Sequence, residues 1–463
     1  MACFLVHNND TTITIPQVEN TNNIVFYIIN VKVGPVEWSV KQRYNGFLEL
    51  HEILVSDHSV AKDLLPPKKI IGNKDPVFIE KRRAGLETYL QTVITFLQKR
   101  MPRELVIFLD MHSYEILFLL QEFSMFLFQE GENLLFASKK YTFCPLKLHA
   151  ISERLKQPCP PLEIFDKRHD FSHILDFCSQ LMCIKIEGGD EKLGTSNIVL
   201  NQLSFELSVF KLVETLGLSR VNCGNIYGLG TLRETIKSLS VRYCRVRSLG
   251  EVFLCDEVHK TVENVCDEKV WKKLDEADFS HNEIAETDEV LRLAPNLKRL
   301  MISHNQITKV SDMTFLPKLT HLSLSANNIT ELDDLSKLFK RIVYLDLSQN
   351  NITSLKGFEN LQTLEGIDLS TNAIKDMAEV QHIVSLKLLD YLNLSGNPVT
   401  TIIDYRVKVL EKFGSRAGQL CLDNEKPTQK ELDTVSVLQA LRIVKEGRTP
   451  TFNVPPPFPN TFS

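Results

Sequence analysis

Three short basic segments near the start of the chain combine cationic side chains with aromatic or apolar neighbours, a combination that suits a phosphorylated ligand at a membrane surface. They contain Arg43-Tyr44, Lys68-Lys69-Ile70-Ile71 and Arg82-Arg83. A guanidinium can bind a phosphate through two parallel hydrogen bonds, and apolar residues beside lysines suit a lipid interface. Singly, each segment also fits an ordinary solvated turn or helix face, so its meaning depends on the fold.

The elements that would position these segments are three strands followed by helices. Strand-like runs cover residues 12–18, 24–33 and 36–41. Asp75 followed by Pro76 predicts a helix start, because Asp caps free backbone amides and Pro suits the first turn.

The order and spacing of these features resemble the phox-homology (PX) domain, an α+β fold, over residues 12–115. The resemblance implies phosphoinositide binding, most often to phosphatidylinositol 3-phosphate. It assigns the 3-phosphate to Arg43, the inositol ring to Tyr44, the 1-phosphate to Lys68 and the ring hydroxyls to Arg82. It also implies that Ile70 and Ile71 enter the lipid and that Arg83 faces solvent. Gln42 and Gly46 depart from the family pattern, which leaves the headgroup preference open.

A nine-position phrase recurs six times in the second half and resembles the short leucine-rich repeat, an α/β solenoid. Each copy ends on an Asn, at Asn282, Asn305, Asn327, Asn350, Asn372 and Asn397. The leucines alternate as in a strand, and the Asn can pair with backbone groups where the strand ends. Since one repeat cannot bury its apolar face alone, stacked neighbours make the core. A column of serines beside the Asn residues is read as repeat consensus.

The predicted architecture is an α+β PX domain followed by an α/β leucine-rich-repeat solenoid with a C-terminal cap. Its segments are a flexible N-terminus (1–11), the PX domain (12–115), a helical connector (116–175), irregular repeats (176–265), regular repeats (266–400), a cap with a C-terminal helix (401–447) and a disordered proline-containing tail (448–463). Thr428 and Glu431 form a capping box for that helix. We expect the connector to pack on its neighbours, although a dimerising coiled coil is the alternative.

The side chains that project from the repeat strands predict a protein-binding concave face. They are Glu276, Asp278, Met301, His321, Tyr344, Asp346, Asp368, Tyr391 and Asn393. Acidic groups interleaved with tyrosines suit a basic partner segment, and the alternative is that they are simply solvated.

Composition and motifs argue against several other functions. A net charge of −5 disfavours a general nucleic-acid binder, and ten cysteines without a Cys-x-x-Cys pair predict reduced thiols in the cytoplasm. No signal peptide or membrane span is evident, so membrane contact is expected to be peripheral. Residues 189–196 have P-loop spacing, but Thr195 stands where lysine is required. We therefore expect no catalytic residues, metal or cofactor.

Nearly the whole chain resembles the nischarin (imidazoline receptor-like) family. The resemblance rests on this domain order and on His58, 64–72, 173–177, 194–197 and 404–406. It implies a scaffold on early or recycling endosomes that engages Rac and Rab class small GTPases, Rac-activated kinases and an integrin α-subunit tail, and that restrains cell migration. Two alternatives stay open, which are a lipid-independent repeat adaptor and an enzyme whose activity lies in the connector.

Overall fold

The computed structural model describes residues 1–4, 6–7, 10–68, 75–97, 101–157, 166–256, 269–311, 313–332 and 339–445. The chain divides into two compact units, one formed by residues 1–244 with 255–259 and the other by residues 245–254 with 260–463. Ile70, Ile71 and the tail at 448–463 lie outside the described residues. Within the described part of the chain, no helix is long and apolar enough to cross a bilayer.

The first unit opens with an antiparallel sheet in the order β1-β2-β3. Its strands are β1 (Thr11–Thr21), β2 (Ile24–Val33) and β3 (Val36–Arg43). The pairing of β1 with β2 shifts between Thr14 and Gln17, around Pro16. Proline has no N–H to donate to a ladder, so a bulge is the arrangement that a strand adopts there.

Helices pack against this sheet and enclose an aromatic core. They are α1 (Tyr44–His58), α2 (Pro76–Leu97), α3 (Arg103–Phe108) and α4 (Met111–Tyr114). The predicted start of α2 is confirmed, since the Asp75 carboxylate accepts a hydrogen bond from the amide of Val77 at 3.2 Å. Trp38, Phe47 and Tyr89 are buried in the core, and the Trp38 indole donates to the carbonyl of Leu109 at 2.8 Å. This core fixes α1 and α2 relative to β3.

Arg83 secures the bulged strand to α2. Its guanidinium donates to the carbonyl of Ile15, and the Glu87 carboxylate accepts the amide of Ile15 at 2.6 Å. Arg83 also forms an ion pair with Glu80 at 2.8 Å. The expectation that Arg83 faces solvent was wrong, because the bulge leaves backbone groups that α2 must satisfy.

The N-terminus is held rather than loose at the residues that the structure describes there. The amide of Ala2 donates to the backbone carbonyl of Tyr114 at 3.1 Å, and the carbonyl of Ala2 accepts from the amide of Ile116 at 3.0 Å. Ala2 and Phe4 are both buried, and the amide of Phe4 donates to Glu115. These contacts correct the prediction of a flexible start, which relied on the local sequence without its distant partners.

The segment predicted as a helical connector also contains a strand. Its elements are α5 (Ile116–Ala137), β4 (Lys140–Phe143) and α6 (Pro145–Lys156), and α7 (Ser172–Gln180) begins near its end. β4 pairs in parallel with β5 (Cys183–Glu187). The aromatic rings of Tyr141 and Phe143 pack on Phe177 and Phe210. A strand of four residues is too short for an alternating pattern to stand out in the sequence. Its formation depends on pairing with β5 and on packing of its aromatic side chains.

Further parallel strands follow β5 in the first unit. They are β6 (Phe205–Glu206), β7 (Thr215–Ser219), β8 (Ile226–Tyr227) and β9 (Ser238–Arg242), with β4, β5, β7 and β9 adjacent in that order.

The turn before β6 is hydrogen-bonded to the open edge of β3. Asn197 exchanges hydrogen bonds with the backbone of Glu37, and Thr195 does so with Ser39. The first repeats are thereby bonded directly to the N-terminal sheet.

The second unit contains a parallel ladder of three-residue strands. Its elements are α8 (Gly250–Phe253), β10 (Glu276–Asp278), β11 (Arg299–Met301), β12 (His321–Ser323), β13 (Tyr344–Asp346), β14 (Gly366–Asp368), α9 (Gln381–Val384), β15 (Tyr391–Asn393), α10 (Tyr405–Phe413), β16 (Cys421–Leu422) and α11 (Gln429–Lys445). Consecutive strands pair in parallel from β10 to β16.

The recurrent Asn residues bond to the backbone as the sequence predicts. The side chain of Asn350 accepts from the amide of Ile329 and donates to the carbonyls of Leu324, Leu347 and Ser348. Asn305, Asn327, Asn372 and Asn397 also bridge neighbouring repeats. Each amide thus joins two repeats at a buried position.

The last strand and two helices cover the end of this ladder. Tyr405 on α10 donates to Asp423 at 3.0 Å, and Arg406 pairs with Glu431 on α11 at 2.8 Å. The capping box is confirmed, because Glu431 accepts the amide of Thr428 at 2.7 Å. These polar contacts hold both helices against β16.

Candidate functional site

Arg82 is the central cation of the candidate headgroup site. Its guanidinium lies 4.2 Å from the centroid of the Tyr44 ring and 4.4 Å from that of Phe78. Arg82 is only 8% exposed, and one Nη donates to the carbonyl of Pro67 at 3.5 Å. Its Nε has no partner among the described atoms, and no described carboxylate forms an ion pair with it. A buried cation with spare donors is suited to an anionic or hydroxyl-bearing ligand.

Tyr44 and the proline turn position this cation from the other side. The Tyr44 hydroxyl donates to the carbonyl of Pro66 at 2.5 Å. Burial raises the pKa of Tyr44, while the charge of Arg82 acts in the opposite direction, so the phenol remains a donor at neutral pH. Pro66 can approach α2 closely because residue 85 is Gly; a β-carbon there would lie 2.8 Å from Pro66.

Arg43 and Lys68 are the chain neighbours of Tyr44 and of the proline turn. Arg43 is the last residue of β3 and directly precedes Tyr44, and Lys68 directly follows Pro67. Both residues are exposed, and neither has an ion-pair partner among the described residues. The fold thus brings Tyr44, the proline turn and Arg82 into contact, and Arg43 and Lys68 are their neighbours in the chain.

Two members of this cluster were missed by the sequence reasoning. Phe78 stacks on Arg82 from one turn earlier on α2. Burial raises the pKa of Tyr27 on β2, and the nearby charge of Arg82 acts in the opposite direction. Phe78 could have been found, because aromatic and Arg residues four apart on a helix share a face. Tyr27 had no local signal, since it reaches Arg82 only through sheet packing.

In the second unit, strand register aligns the predicted protein-binding residues in two rows. One row contains Glu276, Arg299, His321, Tyr344, Gly366 and Tyr391, and the other contains Asp278, Met301, Ser323, Asp346, Asp368 and Asn393. Met301, Tyr344 and Tyr391 are half-buried and His321 is exposed. Asp278 and Asn393 are buried, so their predicted role as projecting contacts was wrong. The Asp278 carboxylate is turned back to accept the amide of Ser280.

Charge pairing differs between the two ends of this ladder. At β10 and β11, Glu276 pairs with Arg299 at 3.2 Å, and the preceding Asp275 pairs with Lys298 at 3.1 Å. Asp346 and Asp368 have no ion-pair partner among the described residues. The Asp346 carboxylate accepts hydroxyl groups of Ser323 and Ser348, each at 2.7 Å. The negative charge is therefore uncompensated around β13 and β14.

Tyrosines flank these unpaired carboxylates. The Tyr344 ring covers Gly366, where a β-carbon would lie 2.7 Å from the ring, and its centroid is 6.2 Å from that of Tyr391. Burial, followed by the nearby Tyr391, Asp346 and Asp368, raises the pKa of Tyr344 to about 12. We call Tyr344, Asp346, Asp368 and Tyr391 the acidic strand face.

Comparison with known families matches both parts of this architecture. Residues 31–112 match the PX domain family, and residues 295–352 and 340–399 match the leucine-rich repeat family. The chain carries a PX domain and leucine-rich repeats. The headgroup candidates Arg43, Tyr44, Lys68 and Arg82 lie inside the matched PX range, and the acidic strand face lies inside the matched repeats.

Relatives of known name match only part of the chain. Serine/threonine-protein kinase Sgk3 of Rattus norvegicus is 33% identical over 20% of this chain and 19% of that protein. The PX domain-containing protein kinase-like protein of Rattus norvegicus is 36% identical over 22% of this chain and 18% of that one. Kinesin-like protein KIF16B of Homo sapiens is 39% identical over 14% of this chain and 5% of that one. The chain thus spans about a fifth or less of the length of these relatives.

Two solved structures are similar to stretches of this chain. A designed CISK-PX domain is 34% identical, with 21% of this chain and 98% of that chain covered and a TM-score of 0.20. The leucine-rich-repeat protein LIC12759 of Leptospira interrogans is 19% identical, with 59% and 56% covered and a TM-score of 0.33.

Proposed function

We propose that this protein is a phosphoinositide-binding scaffold whose PX domain binds phosphatidylinositol 3-phosphate and whose repeats hold signalling proteins. The supporting observation is the buried guanidinium of Arg82, which is stacked between Tyr44 and Phe78 with an unused donor. A ligand that accepts hydrogen bonds would satisfy this donor while the Tyr44 ring lies alongside.

The remaining cations complete the proposed headgroup site. Arg43 would bind the 3-phosphate through two nitrogens, and Lys68 would contact the 1-phosphate that links the headgroup to lipid. Arg82 would donate to ring hydroxyls between them. Arg43 and Lys68 are exposed, so they can adjust to the ligand but lose hydration on binding, whereas buried Arg82 lost most of its hydration on folding. The site thus combines a prepositioned buried group with adaptable outer ones.

Vesicle flotation of the full chain tests this assignment. Arg43→Ala is compared with Lys41→Ala, which removes an exposed cation two residues earlier that pairs with Glu19. Loss of a charge-assisted hydrogen bond of about 1.5–3 kcal/mol predicts roughly ten- to a hundredfold weaker binding for Arg43→Ala. Binding by Arg43→Ala that equals the binding by Lys41→Ala and by the wild type would reject this headgroup assignment. No vesicle binding by the wild type would favour the lipid-independent adaptor.

For the protein-binding half, we propose that the acidic strand face binds a basic, extended segment of a partner. Asp346 and Asp368 are unpaired within the described chain, so a Lys or Arg of the partner would gain an ion pair without breaking one. Tyr344 and Tyr391 offer half-buried aromatic surface beside them, which suits cation–π and apolar contact. The already paired Glu276 at β10 makes that end a weaker candidate.

Charge reversal at the two aspartates tests this surface. Asp346→Lys/Asp368→Lys should abolish capture of a basic partner in a pull-down, whereas Glu276→Lys should leave it. The candidates to offer are the classes implied by the nischarin resemblance, namely Rac and Rab class GTPases, Rac-activated kinases and an integrin α-subunit tail. If the double variant retains every partner that the wild type binds, this face is not the binding surface.

We also propose that the protein acts as a nischarin-type adaptor on early or recycling endosomes, and not as an enzyme. PX-mediated lipid binding would supply the peripheral membrane attachment, and the repeats would supply the partner. Imaging of the tagged chain tests the location, since Arg43→Ala should become diffuse while Lys41→Ala stays punctate. Punctate staining that is independent of Arg43 would count against lipid-directed targeting.

A further inference from the structure

Two cysteines meet at the turns that follow neighbouring strands of the first unit. β7 and β9 pair in parallel, with Ser219 opposite Arg242. Cys223 and Cys244 lie shortly beyond these strand ends. In its repeat, Cys244 occupies the place that Asn occupies in the later repeats. A thiol therefore replaces the bridging amide in this part of the ladder.

The two thiols are in contact and within reach of solvent. The Cys244 thiol is hydrogen-bonded to that of Cys223, and its Sγ also donates to the carbonyl of Arg242 at 3.2 Å. Both residues are half-buried, whereas Cys178 and Cys255 are buried. Formation of a disulfide would bring the two sulfurs from hydrogen-bond distance to an S–S bond length of about 2.05 Å.

The surroundings of Cys244 favour its nucleophilic form. The hydrogen bond from Cys223 lowers the pKa of Cys244, and backbone amides of Val221 and Arg220 act in the same direction against the effect of burial. By contrast, burial raises the pKa of Cys178 to about 12. Since the thiolate is the reactive species, Cys244 should react ahead of a buried cysteine.

We propose that Cys223 and Cys244 form a reversible oxidation site, which a hydroperoxide converts to a disulfide that links the turns after β7 and β9. The Cys244 thiolate attacks the terminal peroxide oxygen, the O–O bond breaks, and the leaving alkoxide or hydroxide takes up a proton. The Cys223 sulfur then attacks the resulting sulfenic acid and releases water. Two thiols lose two electrons and two protons, and the peroxide is reduced to an alcohol or water.

This site is independent of lipid binding and compatible with a reducing cytoplasm. Disulfides of cytosolic proteins are commonly transient and redox-sensing, and thiol exchange restores the reduced pair. The bond would join two successive turns where later repeats rely on an Asn side chain. Oxidation should therefore tighten this part of the first unit.

Peptide mapping of the full chain tests the proposal. Trypsin cleavage after Arg220, Arg233, Arg242 and Arg245 places Cys223 in peptide 221–233 and Cys244 in peptide 243–245. After hydrogen peroxide treatment and alkylation, the two peptides should appear as one species lacking two hydrogens. Dithiothreitol should return them to separate, alkylated peptides. Linking should not require the lipid ligand.

Two serine variants separate the steps. Cys223→Ser should leave a sulfenic acid on Cys244 that dimedone captures, and Cys244→Ser should leave Cys223 without that product. Half-buried Cys421 in the second unit is the internal control for general exposure. If peroxide oxidises Cys421 as fast as Cys244, or if the linked peptides never form in the wild type, the proposed site is overturned.

Discussion

Replacement of Arg82 by Met should separate ligand binding from stability, because the buried guanidinium has no carboxylate partner among the described residues. The change removes two stacked contacts at 4.2 and 4.4 Å from ring centroids, each worth about 0.5–2 kcal/mol. It also removes the penalty of a buried unpaired charge, which is of similar or larger size. Met has a similar length and keeps the apolar packing. We therefore expect the free energy of unfolding to change by less than about 1.5 kcal/mol.

Binding should respond quite differently. Loss of the charge-assisted donors that we assign to the inositol hydroxyls should cost about 1.5–3 kcal/mol, or roughly ten- to a hundredfold in Kd. The matched control is Arg83→Met on the same helix. Arg83 bonds to Glu80, Glu87 and the carbonyl of Ile15, so its loss should lower the stability of the PX domain while leaving Kd nearly unchanged.

Two measurements decide the outcome. Vesicle flotation with phosphatidylinositol 3-phosphate gives Kd, and denaturant unfolding followed by tryptophan fluorescence gives stability. The chain has two tryptophans, so a Trp271→Phe background leaves buried Trp38 as the reporter of the PX domain. If Arg82→Met lowers the unfolding free energy by more than about 3 kcal/mol, the guanidinium is a structural group and the reasoning fails. It also fails if Kd stays within about twofold, well under the 1.4 kcal/mol of a tenfold change.

Three further perturbations test the fold that carries these sites. Asn350→Ala should lower the stability of the repeats by about 2–5 kcal/mol in denaturant unfolding, because it leaves four backbone groups, three of them buried, without their side-chain partner. A change below about 1 kcal/mol would contradict the bridging role. Burial raises the pKa of Glu115 to about 7, so the folded chain binds more protons than the unfolded chain between about pH 4.5 and 7, and stability should fall as pH rises through that window. Relative to Glu115→Gln, the wild type should lose about 3 kcal/mol from pH 4.5 to 7.5, and parallel pH profiles would disprove this. Asn197→Ala should raise hydrogen exchange at the amide of Glu37, whose acceptor it removes, without changing exchange at the far strand β1, and unchanged protection would show that this contact is dispensable.

Local patterns were sufficient for the repeats and the helix starts. The Asn of each repeat serves the backbone of its own and the adjacent repeat, so the same residue must recur at a fixed interval. The capping carboxylates of Asp75 and Glu431 act within a few residues, and such short-range partners are visible in sequence order.

The PX resemblance likewise selected residues that the fold brings into contact. The local sequence, however, gives no physical reason why Arg82 and not Arg83 should lie at the headgroup site. Arg82 and Arg83 are adjacent and of one type. Their positions on α2 direct Arg82 to the Tyr44 ring and Arg83 to the carbonyl of Ile15 in the bulged strand, and these two partners are far away in the chain. The strand β4 and the bound N-terminus were missed for the same reason.

The amino-acid sequence alone determined which elements repeat, where helices begin and which residue types could recognise a phosphate, because these depend on spacing over a few residues. Only the tertiary structure decided which charges are paired. Glu276 has Arg299 opposite it on the next strand, while Asp346 and Asp368 have only neutral partners among the described residues. Strand register and packing bring residues more than 20 positions apart into contact, as Ser323 and Asp346 show. The electrostatic energy of a charged side chain depends on such distant neighbours, which the local sequence does not reveal.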